Sequence, residues 1–284
     1  MNKTPYILLA AALFSACSIN EALDITEGEG RMDFSVQVNS EVESATTTRT
    51  ESDTYTISAD LVPTTSELKL EIYEKNSYSD SEITYELYKE YASVDDYDTP
   101  AMPAGNYIAV VINGGDINEE SETNAVFADS VDFTITSIEE VGSTTLSATL
   151  QNSIIKLEVT DDFNNYFAGG ATLKLTTDAG SELELNFPLD ADAAEKILFV
   201  TPGTKLYLEG SAVKQDPGTG TAPTVTFTKN QVGTAVQGAM NSVLVDASET
   251  GGATITITIN DTITTVSTTT VDVNSGNVTT ETEV

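Results

Sequence analysis

The sequence contains no histidine, no tryptophan and a single cysteine in 284 residues. Without histidine, a Ser-His-Asp triad, a Cys-His pair and a two-histidine zinc site are all excluded. One cysteine rules out a disulfide framework and a cage of thiolate ligands. Basic residues are also scarce, with 12 Lys and Arg against 45 Asp and Glu, so the formal net charge is -33. The field of such a chain repels nucleic acid, which we do not expect as a partner.

The first residues have the features of a secretory signal. Lys3 is the only charged residue before Glu21, and residues 6–14 form the apolar run YILLAAALF. A short basic start, a brief apolar stretch and small residues before a cleavage point are typical of exported proteins. The run is too short for a membrane-spanning helix, which needs ~20 apolar residues. We therefore expect residues 1–16 to be a removable signal.

The single cysteine, Cys17, follows this run directly. The segment LFSAC at 13–17 resembles the lipobox of bacterial lipoproteins, in which the cysteine is diacylated on sulfur and becomes the acylated mature N-terminus. The resemblance implies that acyl chains such as palmitate on Cys17 attach the protein to the outer membrane. Each buried acyl CH₂ contributes ~0.8 kcal/mol, so several chains on one residue give durable anchoring. The alternative is an ordinary secretory signal beside a chance cysteine.

Most of the chain alternates apolar and polar residues, as half-buried β-strands do. Clear cases are Leu68, Leu70 and Ile72, and the segment TITITI at 254–259. Residues 105–113 are apolar on both faces, which predicts a central strand. Helical signals are few, and residues 81–91 and 191–196 each favour a turn or two of helix. About fifteen short strands in all predict an all-β fold class.

The length and the number of predicted strands suit two tandem antiparallel β-sandwich domains, with a boundary near residue 150. A single large sandwich is the alternative. No repeat at a fixed period is visible in the sequence. The predicted divisions are the signal at 1–16, a polar tether at 17–30, an N-terminal sandwich at 31–150, a C-terminal sandwich at 151–273 and a polar tail at 274–284.

Two segments, together with the lipobox, resemble a known family. They are MPAGNY at 102–107, which leads into an apolar strand and Gly114-Gly115, and residues 152–175. The chain resembles the fimbrillin-like surface lipoproteins of anaerobic Gram-negative gut and oral bacteria, and most closely a branch of two-part lipoproteins whose function is not established. The resemblance implies transthyretin-like sandwiches on a lipid anchor, and a role in adhesion or fimbria assembly.

The resemblance also directs attention to Arg49, one of only two arginines. In fimbrillins a protease cuts after an arginine that follows the first strand, and a neighbour's strand fills the groove that opens. Arg49 lies in the polar segment SATTTRTESD, where that cleavage site would fall. The alternative is a solvated arginine in a loop. Residues 266–273 would be the donor strand, or more simply the last strand of the second sandwich.

Candidate binding residues come from the tyrosines and the acids. Seven of the eleven tyrosines fall within residues 73–107. Most are expected to be structural, and Tyr78, Tyr91 and Tyr97 are the candidates for a binding surface, because exposed tyrosine offers large contact area at low entropic cost. Asp190 and Asp192 are the candidates for a Ca²⁺ site, with diffuse binding of divalent cations as the alternative. We expect no dedicated metal site and no cofactor.

The predicted function follows from these features. We expect no enzyme: a carboxylate pair could serve a glycosidase without histidine, but any chain with 45 acids contains such pairs. The chain is expected to be a lipid-anchored protein of the outer membrane, exposed at the cell surface, with a structural or adhesive role that includes fimbriae. A periplasmic orientation stays open. The alternative is a non-catalytic glycan-binding lipoprotein of a polysaccharide uptake system. Expected partners are the outer membrane, other surface proteins, and host or glycan ligands.

Overall fold

The computed structural model describes residues 28–44, 53–79, 82–136, 141–167, 169–187, 196–214, 224–247, 252–258, 266–272 and 277–283. Strands dominate these residues, which confirms the predicted all-β fold class. The strands up to residue 150 are β1 (Glu29–Val38), β2 (Glu41–Ser44), β3 (Asp53–Thr56), β4 (Lys69–Ser79), β5 (Glu82–Tyr91), β6 (Met102–Pro103), β7 (Gly105–Ile112), β8 (Phe127–Ile135) and β9 (Val141–Leu150), with 3₁₀ turns at Thr65–Glu67 and Val94–Asp96. The later elements are β10 (Ser153–Val159), helix α1 (Asp161–Tyr166), β11 (Ala171–Thr177), β12 (Glu182–Phe187), β13 (Ile197–Val200), β14 (Lys205–Val213), β15 (Thr224–Thr234), β16 (Ala239–Ala247), β17 (Gly252–Thr258), β18 (Val266–Asp272) and β19 (Asn277–Glu283).

The first unit has two layers. One layer is the antiparallel sheet β5-β4-β7-β8, and the other is β9-β1-β6. The layers join at one corner, where β8 and β9 pair over only two residue pairs. Every second residue of a strand points into the space between the layers, which is why the alternation in the sequence marks these strands. The core there includes Leu68, Leu70, Ile72, Tyr107, Val111, Leu146 and Ala148.

The second unit repeats the arrangement. Its layers are β12-β11-β14-β15 and β13-β10-β16, so that β10 takes the place of β1 and β16 that of β9. A second core lies between them and includes Leu157, Phe163, Leu173, Leu175, Val200, Leu208 and Val243. One topology therefore occurs twice. Among the described elements, the two copies differ by the hairpin β2–β3, which is inserted in the first, and by helix α1, which is present in the second.

Each unit contains a parallel pair that the prediction of antiparallel sandwiches missed. Strand β1 runs parallel to β9 over eight residue pairs, and β10 runs parallel to β16 over six. Parallel neighbours require a long crossover connection, and the remaining strands of each unit provide it. Alternation reveals which face of a sheet a residue occupies, whereas it says nothing about the direction of the neighbouring strand.

The inserted hairpin and the last strands extend the sheet of the second unit. Strand β2 pairs with β3 and also with the start of β16, while β17, β18 and β19 continue from the rest of β16. Residues 277–283, predicted as part of a polar tail, thus form the last strand, since their valine and threonines favour extended backbone and β18 offers an edge. Strand β1 begins at Glu29, inside the predicted tether.

Besides the pairing of β2 with β16, the two units are in contact through residues 113–126. The backbones of Ser121 and Phe199 exchange hydrogen bonds of 3.1 and 2.8 Å across the joint. The carboxylate of Glu120 accepts hydrogen bonds from the hydroxyls of Thr177, at 2.7 Å, and Thr204, at 3.2 Å. The fully buried side chain of Asn152 adds two more bonds where the units connect. These contacts fasten a connection of the first unit onto the second.

Candidate functional site

Strand β5 is the most exposed apolar element in the described part of the chain. It is the end strand of its layer, and residues 83–90 are all exposed. Five large hydrophobic residues stand out as exposed among the described residues, and four of them lie on β5. They are Ile83 (51%), Tyr85 (53%), Leu87 (49%) and Tyr88 (40%), the fifth being Val141 (51%). Such clustering is typical of surfaces that contact other molecules.

The neighbouring strand β4 fixes the direction in which these side chains point. Leu70 and Ile72 of β4 are fully buried in the core. Since successive residues of a strand point to opposite faces, Tyr73 and Lys75 lie on the outer face of the sheet. Directly paired residues share a face, and the pairs are Leu87 with Tyr73, Tyr85 with Lys75, and Ile83 with Ser77. We call Tyr73, Lys75, Ile83, Tyr85 and Leu87 the β5 face.

The apolar surface continues from the β5 face onto β7. Ile108, Val110 and Ile112 are half-buried and lie opposite the outward-facing residues of β4. The sheet therefore has two apolar sides. One side is packed against the β9-β1-β6 layer, and the other is directed away from it.

Charged residues border this surface in pairs. The Lys69 ammonium lies 2.7 Å from the Glu71 carboxylate and 3.1 Å from that of Glu90. The Tyr73 hydroxyl donates a hydrogen bond of 2.6 Å to Glu71. The hydrogen bonds from Lys69 and then Tyr73 lower the pKa of Glu71, and the bond to Glu71 raises the pKa of Lys69. Both groups are therefore held in their charged forms.

A further ion pair lies between β4 and β8. The Lys75 ammonium is 3.2 Å from the carboxylate of Asp132. Exposed pairs of this kind add little stability, about 0.2–1 kcal/mol each. Their effect on the surface is larger, because two lysines partly offset the three acids that border the β5 face in a chain whose net charge is -33.

The tyrosines predicted as surface residues occupy different environments. Tyr97 is packed against the core, and its hydroxyl donates a 2.7 Å hydrogen bond to the Met32 carbonyl. Burial raises the pKa of Tyr97. The ring of Tyr91 meets that of Tyr97 edge-on, 5.2 Å between centroids, and also packs against the core. The side chain of Tyr78 lies outside the described residues.

The exposed tyrosines, Tyr85 and Tyr88, were missed in the sequence because residues 81–91 were predicted to form helical turns. The alternation of Ile83, Tyr85 and Leu87 was the signal for a strand. Pairing with β4 along its length overrides the local helical preference. Tyr88 is an extra residue at an irregularity of the pairing, and its ring meets the buried ring of Tyr107 edge-on at 5.6 Å.

The remaining predicted sites lie outside the described residues. These are Cys17, Arg49, Asp190 and Asp192. Within the described ranges, no three or more acidic or cysteine side chains come together as a metal site. The acidic pair at residues 161–162 occupies the first turn of α1, where carboxylates interact favourably with the helix dipole. The Thr160 hydroxyl caps that turn by accepting a 3.1 Å hydrogen bond from the Phe163 amide.

Within the described part of the chain, no helix has the length and hydrophobicity needed to cross a membrane.

No curated protein matches the chain. Among solved structures, a fimbrial assembly protein from Parabacteroides distasonis is 10% identical, with 89% of this chain and 100% of that one covered and a TM-score of 0.38. A candidate adhesin from Bacteroides thetaiotaomicron is 8% identical, with coverages of 82% and 97% and a TM-score of 0.36. A candidate polysaccharide-binding protein from the same species is 10% identical, with coverages of 80% and 95% and a TM-score of 0.36. Residues 28–275 match the family described as a domain of unknown function, DUF4493, and the chain belongs to that family.

Proposed function

We propose that the protein is a lipid-anchored adhesion protein of the cell surface and that the β5 face is its contact surface. The observation that carries the proposal is the concentration of four of the five exposed large hydrophobic residues on the single strand β5. A surface of this kind is unfavourable in water unless a partner covers it. Adhesion requires an exposed contact surface and does not require a catalytic group.

The size of the effect follows from the exposed side chains. Fully burying a large apolar side chain contributes about 1.5–3 kcal/mol. Ile83, Tyr85 and Leu87 are each about half exposed, so that covering all three adds about 3 kcal/mol, on the order of 100-fold in affinity. A weak individual contact of this strength becomes firm adhesion when many copies on one cell engage together.

Substitution of the β5 face tests the proposal. Cells that display Tyr85→Ser or Leu87→Ser should adhere less than cells with the unchanged protein, at equal surface amounts measured with an antibody. Val141→Ser is the matched control, since Val141 is equally exposed but lies on β9. Equal adhesion of the Tyr85, Leu87 and Val141 variants would contradict the assignment of the surface.

The anchor is a separate part of the proposal and rests on the lipobox that ends at Cys17. The Cys17→Ala change removes the sulfur that would carry the diacyl group. We expect the variant to lose labelling by radioactive palmitate and to leave the membrane fraction. A variant that stays membrane-bound and labelled would overturn the anchor while leaving the β5 face untested by that result.

Glycan binding is the second candidate function. It is favoured by the surroundings of Tyr85, whose exposed side chain lies opposite Lys75 and diagonal to Tyr73 on the same face, because sugar recognition combines an aromatic surface with hydrogen-bonding groups. A glycan array with the purified protein distinguishes the two candidates. If the protein binds a defined polysaccharide and Tyr85→Ser abolishes that binding, the result favours a glycan-binding lipoprotein. If no glycan on the array is bound, the result favours adhesion to a protein.

A further inference from the structure

Strand β5 lacks two of the features that usually protect an edge strand from pairing, shortness and proline, and its two irregularities leave a regular stretch between them. Protected edges are short or carry prolines, bulges or inward-facing charges. Strand β5 has ten residues and no proline. Among the described strands, β4 is its one neighbour, so its other edge presents backbone N–H and C=O groups. An edge of this kind can accept a further strand.

The regularly paired part of β5 is centred on one residue. The pairing with β4 is irregular next to Leu87, where Tyr88 has no partner, and again next to Ile83, where β4 carries an extra residue. Between these irregularities lies the regular stretch 83–87, with Tyr85 at its centre. A two-fold axis through Tyr85 would therefore place the regular stretch of β5 beside the same stretch of a second copy.

We propose that the partner of β5 is a second copy of this chain, joined edge to edge and antiparallel with Tyr85 on the two-fold axis. The two four-stranded layers then form one continuous sheet of eight strands. Ile83 of one copy lies opposite Leu87 of the other, Tyr85 lies opposite its equivalent, and Thr84 lies opposite Glu86. A two-fold axis perpendicular to the sheet keeps the β5 faces of both copies on one side, so that they form a single apolar stripe.

The charges of β5 select this register. Moving the axis by one residue to Glu86 places that carboxylate against itself, and moving it to Thr84 places Glu82 against Glu86. Like charges directly opposite each other are destabilising. With Tyr85 on the axis, no two acids of residues 82–88 are paired. The sequence of β5 is thus self-complementary in the arrangement that its regular geometry favours.

The charge of the whole chain gives the association a distinctive salt dependence. Two chains of formal charge -33 repel each other, while the contact itself is apolar and backbone-mediated. The Debye length falls from ~10 Å at 0.1 M salt to ~3 Å at 1 M, which screens the repulsion. The dimer should therefore tighten as salt rises, whereas an interface held by ion pairs would weaken.

Cysteine cross-linking tests the pairing, because Cys17→Ser leaves the full chain without any thiol. In that background Tyr85→Cys should form a disulfide-linked dimer on mild oxidation, since the two Cβ atoms would be ~4.5–5.5 Å apart. Thr226→Cys, on the exposed side of β15, is the control and should cross-link at least tenfold more slowly. Chains with Thr84→Cys and chains with Glu86→Cys should cross-link with each other and not with themselves. Equal rates for the Tyr85 and Thr226 variants would overturn the proposal.

Sedimentation measures the association without cysteines. We expect a reversible dimer that tightens with added NaCl and weakens at least tenfold with Leu87→Lys, while Val141→Lys has no effect. This inference rests on the proposed function because both use the β5 face. Self-pairing and adhesion can nevertheless be disproved independently of each other. A chain that is monomeric at all salt concentrations, while Tyr85→Ser still abolishes adhesion, would overturn self-pairing and show that the β5 face binds a different protein or a glycan.

Discussion

The amide of Asn152 lies at the joint between the two units, and its removal tests how that joint is held. Asn152 is fully buried. Its Oδ1 accepts a 3.1 Å hydrogen bond from the Val126 amide, and its Nδ2 donates one of 2.6 Å to the Asn124 carbonyl. Leucine has a similar shape but neither polar group. The Asn152→Leu variant therefore leaves an amide and a carbonyl of the first unit without their partners.

The cost can be worked from the burial of each group. An orphaned buried donor or acceptor costs about 1–3 kcal/mol. Val126 is only 2% exposed, so water cannot replace the lost bond to its amide. Asn124 is half-buried, which places the cost for its carbonyl at the lower end. We expect Asn152→Leu to lower the free energy of unfolding by about 2–4 kcal/mol.

Urea denaturation followed by circular dichroism measures this loss. Gln151→Leu is the matched control, because the adjacent Gln151 is only half-buried and its bond to the Ala128 carbonyl, 2.9 Å, can be replaced by water. The control should lose less than about 1 kcal/mol. If Asn152→Leu lay within about 0.5 kcal/mol of the unchanged protein, or matched Gln151→Leu, the view of Asn152 as a structural tie between the units would be refuted.

Three further predictions concern the core and the N-terminal region. Burial raises the pKa of Tyr107 to about 12, against about 10 for an exposed tyrosine. Its contribution to stability is therefore full below pH ~10 and is lost as the pH rises toward 12. As the pH is raised from below to above ~10, the urea midpoint of the unchanged protein should fall, and that of Tyr107→Phe should fall less. Phe163→Ala, at a fully buried position, should lower the free energy of unfolding by about 3–5 kcal/mol, whereas Tyr166→Ala on the same helix should cost less because Tyr166 is half-buried; equal losses would argue against Phe163 as the anchor of α1. If the chain is processed as the fimbrillin resemblance implies, an arginine-specific protease should yield one shortened product that Arg49→Ala abolishes, and an unchanged mass spectrum would count against processing.

The strands that the sequence revealed best are those with one face in the core. Leu68, Leu70 and Ile72 alternate with polar residues and are all fully buried. Residues 105–113, apolar on both sides, indicated a central strand, and β7 indeed lies between β4 and β8. In the first case the buried face leaves an alternating pattern, because polar residues occupy the face in contact with water; in the second, removal of both faces from full contact with water leaves a continuous apolar run.

Other features leave no such pattern. Strands β1 and β9 pair in parallel although more than a hundred residues separate them in the sequence. The alternation of apolar and polar residues is the same whether the neighbouring strand is parallel or antiparallel. The alternation of Ile83, Tyr85 and Leu87 does indicate a strand, but it does not reveal that β5 lies at the end of its layer with these side chains exposed. Tyr97, predicted at the surface from its acidic neighbours, instead donates to Met32 on the strand beside it in space.

The placement of the first and last strands side by side determines how each unit would respond to mechanical force. An anchor at the N-terminus would pull β1 backward along its own axis while the rest of the unit is held. Because β1 and β9 run in the same direction, the pull is transmitted along β9 as shear, and the interstrand hydrogen bonds across eight residue pairs are loaded together rather than opened one after another. Strands β10 and β16 repeat this geometry over six pairs. Under such a load the chain would resist extension through two shear-loaded pairs of strands in series.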